Sequence, residues 1–234
     1  MPNGRSGERT RTHYKHRFFE RVMASAPGAI LEVGCGRGAF LKEATQRGCR
    51  VIGLEADNEL VMELQKAGIC AQLGRAEELP FKDASFDVVV FQYVLHHCEN
   101  RAQALGEAVR VARRGVFVLE AWYDEAIPSQ RVALSFDRWS KTIDRRTGIV
   151  NNEFPNANDL LASIPGAKQF LIEYSYQLLL RLIQMDTVRS LGEAQLARIG
   201  DDPILRRQLE AILDEARQFG ISDDGALSMQ IRKS

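Results

Sequence analysis

The sequence lacks two features that would each indicate a different class of protein. Lysine plus arginine and aspartate plus glutamate both number 31, so neither sign of charge is in excess. Proteins that follow a nucleic-acid backbone usually carry a basic excess, and its absence predicts no nucleic-acid partner. No apolar run approaches the roughly 20 residues of a membrane-spanning helix, so no membrane span is expected.

Cysteine is sparse and dispersed. The four cysteines occur singly, and no two have the C-x-x-C spacing of zinc or redox sites: Cys35, Cys49, Cys70 and Cys98. No spacing of carboxylates suggests a metal pair, so we predict no metal. Scattered thiols without a signal peptide are typical of a reducing compartment, and the expected location is therefore the cytoplasm.

Short apolar strands alternate with amphipathic helices along much of the chain. Strands are predicted at 29–33, 50–55, 69–73, 86–93, 115–121, 168–176 and 226–232. Strands that alternate with helices predict an α/β fold with a parallel sheet and crossover helices. The hydrophobic fraction of 45% and charged fraction of 26% are ordinary globular usage, so we predict one domain over residues 1–234.

Two segments fall outside this alternation. Residues 1–12 are polar and rich in arginine, which predicts a mobile arm. Residues 178–220 are predicted to be a helical insertion between the last two strands. Its second helix starts at Asp202-Pro203, a favourable N-cap and first helical residue. The apolar stripe of this helix is Leu205, Leu209, Ile212, Leu213, Ala216 and Phe219. The insertion is either a substrate cap or a dimer surface, so a homodimer is a possible partner.

The stretch after the first strand is the most informative. A buried strand enters a turn that contains Gly34, Gly36 and Gly38 and opens a helix. Glycines let the backbone take unusual dihedral angles and let a ligand approach the main chain. Glu55 ends the next strand, where a carboxylate can accept both hydroxyls of an adenosine ribose. These features indicate an adenosine-containing ligand but do not distinguish NAD from S-adenosylmethionine.

Four blocks between residues 28 and 121 carry a family resemblance. They are ILEVGCGRGAFL (30–41), VIGLEAD (51–57), RAEELPFKDASFDVVVFQYVLHH (75–97) and EAVRVARRGVFVLE (107–120). Together they resemble the class I S-adenosylmethionine-dependent methyltransferases, in particular the small-molecule group that includes the ubiquinone and menaquinone biosynthesis enzymes. Two positions depart from the family pattern. Arg-Arg-Gly-Val at 113–116 replaces Lys-Pro-Gly-Gly, and Glu55 replaces an aspartate while keeping the carboxylate.

The resemblance implies a Rossmann-like, seven-stranded, mostly parallel sheet with helices on both faces, and S-adenosyl-L-methionine as cofactor. It implies that Glu32 orients the amino-acid end of the cofactor, that Glu55 holds the ribose hydroxyls and that residues 75–77 lie at the adenine. Gln92 faces the sulfonium or only caps its strand, and Tyr14 closes over the cofactor or packs in the core. The cofactor-binding residues so implied are Glu32, Gly34, Cys35, Gly36, Arg37, Gly38, Glu55, Arg75, Ala76, Glu77, Gln92 and Tyr14.

Two histidines after the fourth strand are candidates for a general base. Methyl transfer from a sulfonium depends mainly on proximity, and a base is needed only when the acceptor must lose a proton. Imidazole suits that task near neutral pH. Adjacent helical residues point about 100° apart, so we expect one histidine to reach the acceptor and prefer His97 as the catalytic residue. His96 is the alternative.

The predicted function is methyl transfer from S-adenosylmethionine to a small-molecule acceptor, on oxygen, nitrogen or carbon. Two alternatives remain open. A nucleic-acid or protein methyltransferase is the first, although residues 91–94 (FQYV) lack the amide–proline clamp of the enzymes that methylate base amino groups. A catalytically silent subunit that binds S-adenosylmethionine is the second.

Overall fold

The computed structural model describes residues 5–200 and 202–233, with side chains from residue 10 onward. The helices are α1 Arg5–Ala24, α2 Ala39–Gln46, α3 Asn58–Lys66, α4 Arg101–Val111, α5 Pro128–Arg146, α6 Ala157–Ser163, α7 Met185–Ala197 and α8 Pro203–Phe219. The strands are β1 Ala29–Val33, β2 Arg50–Glu55, β3 Ala71–Leu73, β4 Phe86–Gln92, β5 Ala112–Trp122, β6 Leu171–Gln177 and β7 Gly225–Arg232. Short 3-10 turns span Leu95–His97 and Ala167–Gln169. Within the described ranges, no helix combines the length and the apolar composition of a membrane span.

The strands form one seven-stranded sheet in the order β3-β2-β1-β4-β5-β7-β6. β1 pairs in parallel with both β2 and β4, and β2–β3 and β4–β5 are also parallel. This confirms the predicted α/β class with a mostly parallel sheet. The chain runs outward from β1 to β3 and then crosses to β4 on the other side of β1. Such a reversal opens a crevice at the carboxyl ends of the strands, where open α/β sheets bind ligands.

The chain divides into two compact units. One comprises residues 15–120, 155–175 and 227–233 and contains most of the sheet. The other comprises residues 5–14, 121–154, 176–200 and 202–226 and is mainly helical. The helical unit has its own apolar core, in which the indole of Trp139 donates a hydrogen bond to the carbonyl of Leu205 over 2.9 Å. The single domain expected over the whole chain stays a prediction.

Residues 5–12 differ from the expected mobile arm, because they form the first turns of α1. Thr10 is buried, and its hydroxyl donates to Asp223 over 2.8 Å. Arg11 forms an ion pair with Asp224 at 3.0 Å. These bonds join residues far apart in sequence, which is why composition alone suggested mobility. Residues 1–4 of the predicted arm lie outside the described residues.

The segment between β6 and β7 is helical in two parts. The predicted start of α8 is present, since the Asp202 side chain accepts from the backbone N–H groups of Ile204 and Leu205. Five residues of the predicted stripe are buried, namely Leu205, Leu209, Ile212, Leu213 and Ala216. Phe219, the sixth, is 45% exposed, and residues 178–184 precede the first turn of α7. The role of the segment as a cap or dimer surface stays a prediction.

Replacing Leu209 by alanine should lower the free energy of unfolding by about 2–5 kcal/mol, because a buried leucine leaves a cavity. Leu209 is fully buried and lies so close to α7 that a Cβ on Gly192 would come within 2.6 Å of it. The matched control is Ile204→Ala on the same helix, where the side chain is 57% exposed. Urea unfolding measures both, and equal effects would contradict the packing described.

Candidate functional site

A pocket of about 270 Å³ opens at the carboxyl ends of β1, β2 and β4. This is the edge of the sheet where the strand order reverses. The lining residues come from the ends of these strands and the loops that follow β3 and β4: Val33, Gly34, Glu55, Ala56, Gly74, Arg75, Ala76, Glu77, Tyr93, Val94, His97 and Cys98. Six of the predicted site residues are among them, namely Gly34, Glu55, Arg75, Ala76, Glu77 and His97.

Glycine is required in the turn after β1 for two different reasons. Gly34 has φ +67°, and a Cβ there would lie 2.5 Å from a methyl group of Val94. Gly36 has φ +52°, and a Cβ there would meet nothing within 4 Å. Gly34 therefore permits the close approach of the turn to the loop after β4, whereas Gly36 leaves open space beside the main chain.

Glu55 connects the end of β2 to the glycine turn. Its Oε2 accepts a hydrogen bond from the backbone N–H of Gly36 over 2.8 Å, and its Oε1 accepts from Ala56 over 2.8 Å. Oε1 also accepts from the backbone N–H of Asp57 over 3.2 Å. An ionised carboxylate offers about four lone-pair positions, so one position, on Oε2, remains for a ligand hydroxyl. Glu55 thus fixes the turn and presents one acceptor to the pocket.

The wall formed by residues 75–77 is held by charged side chains. Glu77 accepts from the backbone N–H of Glu99 over 2.8 Å, which ties this wall to the loop that carries Cys98. The guanidinium of Arg75 lies 3.2 Å from the carboxylate of Glu99, with its side chain 57% exposed. Arg75 and Glu77 therefore hold two loops together at the rim of the pocket.

Behind this wall, α4 holds the loop of the sequence block ELPFKD. Arg110 donates to the carbonyls of Leu79 and Phe81 over 3.0 and 2.7 Å, and Glu107 accepts from the N–H of Leu79 over 2.9 Å. The hydrogen bonds from Arg110 lower the pKa of Glu107. We call these four residues the α4 clamp.

The two histidines of the LHH motif have different environments. His96 is buried, and its Nδ1 donates to Oε2 of Glu120 over 2.8 Å. The other oxygen of Glu120 accepts from the N–H groups of Val94 and Leu95 over 3.0 and 2.7 Å. His97 is exposed and lines the pocket, with its ring centroid 4.0 Å from that of His96. Glu120 and His96 therefore anchor the turn, and His97 is the histidine at the pocket.

Tyr93 and Val94 line the pocket where Gln92 was predicted. Gln92 is the last residue of β4 and pairs with Leu119 of β5. Tyr93 follows with φ +58°, a left-handed conformation that interrupts the strand's alternation. The turn after Gln92 therefore presents Tyr93 and Val94 to the pocket. An aromatic residue at the end of the predicted buried strand 86–93 was the available signal for Tyr93.

Six other predicted cofactor residues are also absent from the pocket lining: Tyr14, Glu32, Cys35, Gly36, Arg37 and Gly38. The thiol of Cys35 is buried, and burial raises its pKa to about 12. The side chain of Arg37 is 84% exposed and lies 3.7 Å from Glu63. Tyr14 is fully buried, and its hydroxyl accepts from the N–H of Leu179 over 2.7 Å, which supports the core-packing alternative.

One group of potential metal ligands occurs elsewhere on the sheet unit. Ligand atoms of His16, Glu20 and Glu43 lie within 4.8 Å of one another. Glu20 is already paired with Arg47 at 2.7 Å, and the group contributes nothing to the pocket lining. We assign it no role in the site.

Comparison with known proteins gives the family. The sequence pattern of the family described as "Methyltransferase domain" matches residues 31–119, which contain the glycine turn, Glu55 and the LHH motif. Residues 31–119 are therefore a methyltransferase domain of the class I, S-adenosylmethionine-dependent type. This confirms the resemblance drawn from the four sequence blocks.

Curated relatives match the methyltransferase domain but not the whole chain. A probable S-adenosylmethionine-dependent methyltransferase of Mycolicibacterium smegmatis is 38% identical over 100 residues, 42% of this chain and 39% of the relative. A malonyl-[acyl-carrier protein] O-methyltransferase of Erwinia billingiae is 35% identical over 92 residues, 38% of this chain and 37% of the relative. The chain thus spans about two fifths of the length of these relatives.

Solved structures share the fold over nearly the whole chain. The YcgJ protein of Bacillus subtilis superposes with a TM-score of 0.63 and 22% identity, covering 93% of this chain and 98% of its own. At this identity the likeness shows the fold, which agrees with the seven-stranded sheet described above.

The residues of the methyltransferase domain fit S-adenosylmethionine, the cofactor of this class. Glu32 is 4% exposed, and its Oε2 has no hydrogen-bond partner among the described residues. Gly36 leaves open space beside the turn, and Glu55 presents an acceptor position on Oε2 to the pocket. An unpaired buried carboxylate oxygen suits an ammonium, and a free acceptor suits a ribose hydroxyl.

Proposed function

We propose that this protein transfers the methyl group of S-adenosylmethionine to a small-molecule acceptor. The observation that carries the proposal is one pocket lined by Glu55, by Gly34 of the glycine turn and by His97. The cofactor, when bound, supplies an activated methyl group on a sulfonium. The residues around it bind, orient and exclude water, which is most of what such a displacement requires.

Three features favour a small acceptor over a nucleic acid. The chain has no net charge, so no global basic field attracts a phosphate backbone. The turn after β4 consists of Tyr93 and Val94, with no amide–proline pair to clamp a base amino group. A pocket of about 270 Å³ also lies near the lower end of the usual size of small-molecule sites.

His97 is the residue that we propose as general base. It is exposed at the pocket, where a neutral imidazole can accept a proton from an acceptor hydroxyl or acidic carbon. The buried pair of His96 and Glu120 holds the backbone of the same turn and so fixes the position of His97. An acceptor that is already nucleophilic would not need a base, and the pocket would then only have to position it beside the cofactor.

A labelled-methyl assay tests the function. The protein is incubated with cell extract and S-adenosylmethionine carrying a labelled methyl group, and the products are separated by size. The proposal requires label in the small-molecule fraction. Label in protein or nucleic acid instead would favour a protein or nucleic-acid methyltransferase. No label in any fraction would favour a catalytically silent subunit that binds S-adenosylmethionine.

Replacing Glu55 by alanine should weaken binding of S-adenosylhomocysteine by about 1.5–3 kcal/mol, the range for hydrogen bonds to a charged group. The loss includes the bond that Glu55 accepts from Gly36. Titration calorimetry gives the affinity, and Glu59→Ala on the exposed side of α3 is the control. Unchanged affinity in a folded Glu55 variant would remove this residue from the cofactor site.

A further inference from the structure

The two edge strands of the sheet differ in length and in composition. One edge is β3, with three residues, and the other is β6, with seven. An edge strand offers a row of backbone N–H and C=O groups to another chain, and natural proteins discourage such pairing with short edges, lysine, proline or bulges. β3 is short. The sequence of β6, LIEYSYQ, contains no lysine, proline or glycine, so β6 is suited to pair with a further strand.

The single charged residue of β6 is neutralised within the same chain. Glu173 accepts a hydrogen bond from Arg232 of β7 through Oε1 over 2.6 Å, and its Oε2 lies 3.4 Å from the guanidinium of Arg21 on α1. A charge on an edge strand discourages pairing when it faces a like charge or must lose its water. Because two guanidinium groups already hold the carboxylate of Glu173, it is a weak barrier to a second strand.

The face of β6 opposite to Glu173 carries an apolar stripe. Successive side chains of a strand point to opposite faces, so the side chains on this face are those of Ile172, Tyr174 and Tyr176. Tyr174 is 48% exposed and Tyr176 is 40% exposed. The ring of Tyr176 packs on Trp122, with 4.5 Å between the ring centroids. The stripe thus consists of aromatic and β-branched residues, which make favourable pairs across neighbouring strands.

We propose that β6 pairs in antiparallel fashion with β6 of a second copy of this chain, with the twofold axis at Tyr174. Tyr174 is the middle residue of β6, so the register that pairs all seven residues places it opposite its own copy. Ile172 then lies opposite Tyr176, and Glu173 lies opposite Ser175. The stripe is therefore continued by aromatic–aromatic and aromatic–β-branched pairs, and no charge faces a like charge. A twofold axis at Glu173 would instead bring two carboxylates face to face.

Such a pairing also closes the assembly. A twofold interface uses the same surface of both copies, so β6 of each copy is covered and no third copy can add there. The joined sheet would then end in the short strand β3 on both sides. The second copy is the occupant that we infer, because the sequence of β6 matches itself in this register.

A charge swap at Tyr174 tests the position of the axis. Wild-type protein should be a dimer by size-exclusion chromatography with light scattering. Tyr174→Lys and Tyr174→Glu each place like charges face to face and remove the aromatic pair, so each should raise the dimer dissociation constant about 5- to 30-fold. An equimolar mixture of the two variants should recover the dimer, because lysine then faces glutamate. The control is Leu73→Lys at the other edge, where the side chain is 50% exposed.

Cysteine cross-linking tests the register. Both variants are made in a Cys70→Ser background, since Cys70 is the exposed cysteine and the other three are buried. Tyr174→Cys should form an intermolecular disulfide, because directly opposed Cα atoms lie about 4.5–5.5 Å apart, within the span of a disulfide. Leu171→Cys is the matched control at a side chain that is 58% exposed. Its copy would lie roughly 20 Å away, so it should not cross-link.

Several results would overturn the inference. Wild-type protein that is monomeric at every concentration would do so, and would leave β6 to an extended segment of another protein. A dimer that persists in both charge variants would show that the copies meet at another surface. A folded pair of charge variants that fails to recover the dimer on mixing, or cross-linking of Leu171→Cys as fast as Tyr174→Cys, would exclude the proposed register. Circular dichroism establishes that each variant is folded.

Discussion

Replacing His97 by glutamine is expected to lower kcat about 10²–10⁴-fold, the usual contribution of a general base. Glutamine keeps a polar side chain of similar size at the pocket but cannot take a proton. Affinity for S-adenosylhomocysteine should stay nearly unchanged, because the base acts on the acceptor. The rate is measured with the acceptor that the labelled-methyl assay identifies.

The pH dependence of the rate distinguishes a general base at His97 from a side chain that only positions the acceptor. A protonated imidazole cannot accept a proton, so the wild-type rate should fall towards acidic pH. His16→Gln, which changes an exposed histidine on α1, is the control and should keep full turnover. A flat pH profile together with full turnover of His97→Gln would show that the site acts through proximity alone.

Glu120→Leu should lower the free energy of unfolding by about 3–5 kcal/mol, the usual cost of removing one partner of a buried polar pair. Glu120 is fully buried and accepts three hydrogen bonds, from Val94, Leu95 and His96. Leucine satisfies none of these donors, and each is left buried without an acceptor. Urea unfolding gives the difference.

Two further variants test whether the loss of stability comes from the hydrogen bonds that Glu120 accepts. Glu120→Gln keeps a carbonyl oxygen that can still accept from the turn, so it should cost less than leucine. Glu125→Leu changes an exposed glutamate and should have little effect on unfolding. If Glu120→Leu unfolds like wild type, the turn that carries His97 is held by its packing and not by this carboxylate.

The sequence predicted the sheet unit closely because its elements have simple periodicity. The bounds of β1 and β2 agree with the prediction, and α8 begins at its predicted cap. Helix α5 was missed, because buried positions on it hold polar residues that obscure the apolar stripe. Gln130 is fully buried and donates to Ser222 over 2.6 Å, and Lys141 lies 2.8 Å from Asp137. The bond from Gln130 depends on a partner 92 residues away, which local pattern cannot reveal.

The sequence predicted which strand ends border the pocket, but it did not predict in which direction each side chain points. Glu55 and His97 lie where the sequence placed them. Gln92 is still a paired residue of β4 and does not line the pocket, and the left-handed turn at Tyr93 presents Tyr93 and Val94 there instead. Arg37 follows a glycine with positive φ and extends into solvent beside Glu63. Such backbone conformations depend on the packing of the turn, and in the sequence only the glycines indicate that a left-handed conformation is present.

The α4 clamp has a mechanical consequence for the pocket. Residues 74–85 form no helix or extended strand of their own, apart from an isolated bridge between Arg75 and Glu78. This loop is therefore held by α4, through the hydrogen bonds of Arg110 and Glu107 to Leu79 and Phe81. A displacement of α4 would move Leu79 and Phe81 with it, and would so act on the neighbouring residues 74–77 that line the pocket.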